Sequence, residues 1–119
     1  MINLVRAADI TRVPKVWGEE RWIVNSRLYC GKILELNEGW QCSMHMHKIK
    51  DETFYIQSGE VRLEIGAEVC VLLPGDSVHV PPNTWHRFAG LKDSIIIEFS
   101  THHEDEDSYR MEPSRPMDQ

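Results

Sequence analysis

Three histidines and one glutamate stand at spacings that could cage a divalent metal ion: His45, His47, Glu52 and His86. Residues 39–59 read GWQCSMHMHKIKDETFYIQSG, and residues 75–90 read GDSVHVPPNTWHRFAG. Side chains two apart on a strand share a face, so His45 and His47 can chelate one ion. Beyond His47 the chain turns, and Glu52 can enter from the neighbouring strand. His86 arrives from a distant strand, past the Pro81-Pro82 turn that fixes where it lands. Imidazole nitrogens with a carboxylate oxygen suit Mn, Zn, Fe, Co or Ni, and no thiolate belongs to the set. Three neutral imidazoles and one carboxylate leave room for water or substrate oxygens, as catalytic metal sites do. A bare HxH pair is ordinarily solvent-facing or hydrogen-bonded. Here Glu52, the bounding Gly39 and Gly59, and a second glycine–proline–histidine block turn the reading toward metal.

Such a site needs elements to carry it. No stretch keeps a helical period, and turn signals recur about every ten residues, which predicts an all-β barrel or sandwich. Strands are expected over residues 28–36, 40–47, 53–57, 61–65, 68–73, 77–80, 87–89 and 94–100. Gly66-Ala67 reads as a tight hairpin turn, and Pro81-Pro82-Asn83 as a forced break. An N-terminal arm carrying Trp17-Gly18-Glu19-Glu20 and an acidic tail from His102 to Gln119 carry no clear strand signal. The expectation is a single domain over residues 1–119, with its core at about 28–100.

Composition bounds the partners. The chain has 119 residues and a net charge of −6. No basic stripe is present to neutralise phosphates, so nucleic acid is not an expected partner. The first twenty residues contain charges and no long apolar run, so neither a signal peptide nor a membrane span is expected. Cys30, Cys42 and Cys70 are odd in number without CxxC pairing, and read as reduced thiols of a cytoplasmic protein.

The two blocks resemble the cupin superfamily. The first follows the pattern glycine, five residues, HxH, four residues, glutamate, six residues, glycine without departure. The second has Gly75, Pro81 and His86 in place. It departs at Asn83, where many cupins carry glycine, and at Gly90, where many carry asparagine; both read as turn positions that accept either residue. The resemblance implies a small conical β-barrel of the double-stranded β-helix, jelly-roll type, with one divalent metal inside. Cupins of this size are often dimers, and the arm with Trp17 and Trp22 could pair with a second copy. KVWGEERW over residues 15–22, the strand with Lys32, and IIIEFSTHHEDEDSYR over residues 95–110 resemble the cupin-type sugar isomerases. These are the cupin domain of type II mannose-6-phosphate isomerases and the D-lyxose isomerases. In the former an acidic motif like Glu104-Asp105-Glu106-Asp107 is followed by an arginine, whose place Arg110 fills. The type II enzymes tend to carry glutamine where His45 stands and histidine where Thr53 stands, whereas His45 fits the lyxose isomerases.

That resemblance implies a metal-dependent aldose–ketose isomerase acting on a free or phosphorylated sugar through a metal-stabilised enediolate. Isomerisation needs a base beside the carbonyl with a pKa raised toward neutrality. Glu98 is the candidate, because it interrupts the apolar run Ile95-Ile96-Ile97; facing solvent or pairing with an arginine is its alternative. Lys32, among Ile33, Leu34 and Leu36, would hold a sugar oxygen or phosphate if it points inward, although edge lysines commonly point outward. Lys50 and Arg87 lie near the ligands in sequence, and His102 and His103 follow the last strand; all four more commonly face solvent. Trp40 is out of phase with His45 and should pack, Tyr55 is out of phase with Glu52, and Phe54 should line the barrel. Trp85 could stack on a sugar face. An oxygen-using dioxygenase and a non-catalytic sugar- or metal-binding module remain the alternative functions.

Overall fold

The structure, a computed structural model, describes residues 1–117, so Asp118 and Gln119 of the expected tail lie outside the described residues. The chain is built from short antiparallel strands, with two three-residue 3-10 turns at Ala7–Asp9 and Asp105–Asp107. In order they are β1 (Thr11–Lys15), β2 (Gly18–Asn25), β3 (Cys30–Leu36), β4 (Trp40–Gln41), β5 (His45–Met46), β6 (Glu52–Ser58) and β7 (Val61–Ile65). They continue with β8 (Glu68–Leu72), β9 (Ser77–Val80), β10 (His86–Gly90), β11 (Ser94–Ser100), β12 (Tyr109–Arg110) and β13 (Arg115–Pro116). One sheet runs β1-β2-β3-β11-β6-β9, and the other runs β12-β5-β10-β4-β13 with β7 and β8 attached through β10.

Alternation along the central strands explains the enclosure. In β3, Cys30, Lys32, Leu34 and Leu36 are buried while Gly31, Ile33 and Glu35 are half-buried. In β6 the inward set is Glu52, Phe54 and Ile56, and in β11 it is Ser94, Ile96 and Glu98. Period two therefore writes an apolar floor of Leu34, Leu36, Phe54, Ile56, Leu63, Phe88 and Ile96, and places polar groups above it. Truncating one of these large side chains, Phe54 for instance, costs about 3–5 kcal/mol in a packed core.

Several boundaries differ from expectation. The expected 40–47 strand is two fragments, β4 and β5, separated by Cys42, Ser43 and Met44. Both fragments pair with β10, Gln41 opposite Ala89 and His45 opposite His86. The N-terminal arm is a regular β1–β2 hairpin laid antiparallel on β3, with Trp17 buried at its turn. Its charged sequence hides it, because this layer contributes few apolar side chains. The acidic tail is likewise structured: β12 pairs with β5 and β13 with β4.

The two departures in the second block have different causes. Asn83 sits at φ 62°, the left-handed region that asparagine enters more readily than most residues. Gly90 is not at a permissive turn: it ends β10, where a Cβ would stand 2.6 Å from the Asn37 carbonyl oxygen. Only glycine allows that approach.

Candidate metal centre

His45 and His86 face each other across β5 and β10, and His47 follows β5 by one residue. A ring nitrogen from each of the three lies within 4.8 Å of the others. Each ring is aimed by its second nitrogen. Nδ1 of His45 is 2.7 Å from the Ser43 carbonyl, that of His47 is 3.0 Å from the Asp107 carbonyl, and that of His86 is 2.9 Å from the Thr84 carbonyl. A carbonyl only accepts, so each Nδ1 carries the hydrogen and each Nε2 offers its lone pair to the shared space.

Glu52, at the start of β6, completes the group. Its Oε1 lies 3.6 Å from His47 Nε2, and its Oε2 lies 3.5 Å from His86 Nε2. Glu52 Oε2 and His86 Nε2 are buried without hydrogen-bond partners. Two ligands about 2.1 Å from a tetrahedral centre stand roughly 3.4 Å apart, so these separations are of the size a bridging cation sets. The residues present fit a divalent metal of the imidazole-and-carboxylate class.

The electrostatics agree. Burial pushes the His45 imidazole well below its usual range, with the neighbouring His86 adding to the effect. Burial, then the Lys50 charge, lower His47 to about 4, and burial lowers His86. All three are neutral imidazoles near pH 7. Burial raises the Glu52 carboxyl to about 7 against the pull of Lys50, a cost that a cation would relieve.

A second polar cluster adjoins this one in the same cavity. Lys32 is 2% exposed and points inward, with Nζ 3.4 Å from Glu20 Oε1 and 4.3 Å from the Trp22 ring centroid. The common outward placement of an edge lysine does not apply, because β3 is covered by β2 and β11 on its two sides. Glu98 lies opposite Lys32 in register. Its Oε2 receives hydrogen bonds from Ser100 Oγ at 2.8 Å and Lys50 Nζ at 3.3 Å. Neither solvent nor an arginine holds it. The raised pKa expected of Glu98 is absent: burial lifts it, but Lys50 and Lys32 together bring the carboxyl below its ordinary value.

Lys50 was expected to be a solvated turn residue and is instead buried. Its ammonium lies 2.8 Å from Glu52 Oε1 and donates to His103 Nδ1 at 2.9 Å. Burial lowers the Lys50 pKa, but Glu98 and Glu52 outweigh it and raise the value. His103 reaches the cavity rather than solvent, because Asn25 clamps its backbone from both sides at 2.9 and 3.0 Å. His102 is bound to the Ser26 carbonyl. Arg87 alternates outward from His86 and pairs with Glu64 and Glu112. Trp40 packs against the core, and Trp85 does not line the cavity. The cavity is about 210 Å³ and is lined by Trp17, Trp22, Lys32, Lys50, Phe54 and Glu98 together with His45, His47 and Glu52.

The profile of the cupin domain family matches residues 32–102, more than half of the chain. The chain belongs to the cupin family. This cupin is 31% identical to a D-lyxose/D-mannose isomerase of Thermosediminibacter oceani, with 76% of this chain and 65% of that protein covered. It is 30% identical to a D-lyxose ketol-isomerase of a Thermofilum species, with 76% and 66% covered. It thus spans just under two thirds of the length of these relatives. Among solved structures, a Streptomyces PAC13 variant with uridine superposes at a TM-score of 0.81 and 15% identity, covering 95% of this chain and 93% of that one. That likeness is one of fold. Among the described residues no helix is long and apolar enough to cross a membrane, which says nothing of membrane β-barrels.

Proposed function

We propose that this cupin is a metal-dependent aldose–ketose isomerase acting on a small free or phosphorylated sugar. One observation carries the reading: three neutral imidazoles and the Glu52 carboxyl adjoin a buried Lys32–Lys50–Glu98 cluster at a cavity of about 210 Å³. That volume lies below the roughly 300–1,000 Å³ of drug-sized pockets, so a monosaccharide is the fitting scale. The similarity to lyxose isomerases supports the same class.

His45, His47, His86 and Glu52 would hold the cation, which when bound supplies a Lewis acid for a sugar carbonyl. Glu98, kept ionised by Lys50 and Lys32, takes the proton from the carbon beside the carbonyl and returns it to the former carbonyl carbon. Lys32 supplies an N–H to the oxygen that gains charge and mediates the matching shift of the hydroxyl proton. Nothing is oxidised or reduced overall. Trp17 and Trp22 keep bulk water from the proton in transit. Held below its ordinary value, Glu98 is ionised and free to accept a proton at pH 7, though it is a weaker base than one poised near neutrality. The open edge of β1 also supports pairing with a second copy of the chain.

The test is a panel of aldoses and their phosphates offered to metal-loaded protein under nitrogen, with ketose followed chemically. Ketose formation supports the reading. Retained metal with no ketose from any member, or oxygen uptake in air instead, would overturn it.

A further inference from the structure

The tail residue Asp107 touches the site from both sides, although 60 residues separate it from His47. Its Oδ1 accepts the backbone N–H of Lys48 at 2.9 Å, and its Oδ2 accepts that of Lys50 at 2.9 Å. The N–H of Ile49 is shared between the two oxygens at 3.2 Å each. Its own carbonyl accepts Nδ1–H of His47 at 3.0 Å. Three successive amides converging on one carboxylate make a strong, charge-assisted clamp.

The clamp matters because nothing apolar holds this loop. Ile49 at its tip is 73% exposed, so hydrophobic burial does not fix the segment between His47 and Glu52. Yet the loop must deliver the Lys50 side chain inward, to Glu52 and Glu98. Asp107 is itself only 7% exposed. The tail around it is anchored: Asn25 grips His103 upstream, and Tyr109 and Arg110 pair with Met46 and His45 downstream. Asn83 and Thr101 tether the two ends of the loop, at the His47 carbonyl and at Asp51, and Asp107 holds the three amides between them.

We propose that Asp107 is a positioning residue, setting the His47 imidazole in its Nδ1–H form with Nε2 turned into the cavity and holding Lys50 between Glu52 and Glu98. The metal-related half of this inference rests on the function proposed above. The hold on His47 does not.

Full-length Asp107→Ala, Asp107→Asn and Glu106→Ala test it; Glu106 is exposed and serves as the neighbouring control. Three readouts apply: Co²⁺ affinity by calorimetry, thermal stability without metal, and the His47 tautomer by imidazole ¹⁵N NMR without metal. Outer partners of metal-ligating histidines typically contribute 10- to 100-fold in metal affinity. Asp107→Ala keeps the backbone carbonyl but frees it from the clamp on the 48–50 amides. As it shifts away from His47, Co²⁺ binding should weaken by about that factor and the single Nδ1–H form should become a mixture. Asp107→Asn, keeping one acceptor oxygen, should fall between, and Glu106→Ala should match wild type. A purely structural anchor would lower thermal stability alone, with tautomer and Co²⁺ affinity unchanged in the folded variants, and that result overturns the proposal. Should Asp107→Ala not fold, unchanged affinity and tautomer in Asp107→Asn overturn it equally. A wild-type chain that binds no Co²⁺ would sink the metal reading, while the NMR measurement would still decide the hold on His47.

Discussion

Lys50 Nζ stands 3.3 Å from Glu98 Oε2, and both side chains are buried within the barrel. The same ammonium reaches Glu52 Oε1 at 2.8 Å. One cation therefore ties a proposed metal ligand to a proposed base. Removing one partner of a buried pair leaves a charge uncompensated, which is more damaging than the pair is stabilising.

Glu98→Gln should separate chemistry from binding. The amide keeps the shape and can accept from Ser100 and Lys50, but it takes up no proton. Isomerisation should fall by about 10²- to 10⁴-fold, the range general bases contribute, while metal affinity stays within a few-fold. Steady-state kinetics beside calorimetry check this. Unchanged turnover would remove Glu98 from the proton path.

Lys50→Met should destabilise the metal-free protein by about 3–5 kcal/mol, since two buried carboxylates lose their shared cation. A divalent metal would restore part of the charge balance at Glu52. The rise in melting temperature on adding Zn²⁺ should therefore be larger in the variant than in wild type. Equal rises would show that Lys50 and the metal do not share Glu52.

Acid should weaken the metal-free protein through its histidines. Burial holds His45, His47 and His86 below their ordinary value, His47 at about 4. Between the ordinary histidine value and these lowered ones, the unfolded chain binds more protons than the folded one, so stability falls as pH drops through that window. Glu52 has the opposite sign: raised to about 7, it costs stability as pH climbs from the ordinary carboxylate range. Burial and the Lys50 charge lower His103 as well, so four histidines oppose one carboxyl, and chelated protein should unfold at lower urea as pH falls from 6.5 toward 4. A midpoint that rises over that interval would contradict the assignment.

Thiol chemistry gives a simple check of the strand registers. Cys70 is exposed on β8, whereas Cys30 is buried. Burial pushes the Cys42 thiol up to about 11, and its sulfur accepts the Phe88 N–H. In native protein iodoacetamide should modify Cys70 alone, and all three residues in urea. Mass spectrometry showing rapid native labelling of Cys42 would dispute the β4–β10 pairing.

The convergence of His45, His47, Glu52 and His86 was legible because most of its signals are local: an HxH pair, a carboxylate five residues on, and glycines and prolines marking turns. The β-class of the fold was legible for a similar reason, since period two persists through β3, β6 and β11. Lys32 was ambiguous in sequence because a lysine in an apolar strand reads alike on either face. Only the cover supplied by β2 decides it, and the β1–β2 hairpin is itself masked by charge. Lys50, His103 and Asp107 were not legible as a set. Their contacts join residues about fifty or more apart, and nothing within the run Glu104-Asp105-Glu106-Asp107 marks its last aspartate as the buried one.

Metal content measured on the purified chain tests the central claim most directly. Wild type, loaded with Co²⁺ and freed of excess, should retain one ion per chain with the d–d spectrum of a nitrogen–oxygen ligand set, and His45→Ala/His86→Ala should retain none. A wild type that emerges without cobalt, or a double variant that keeps a full equivalent, would contradict it.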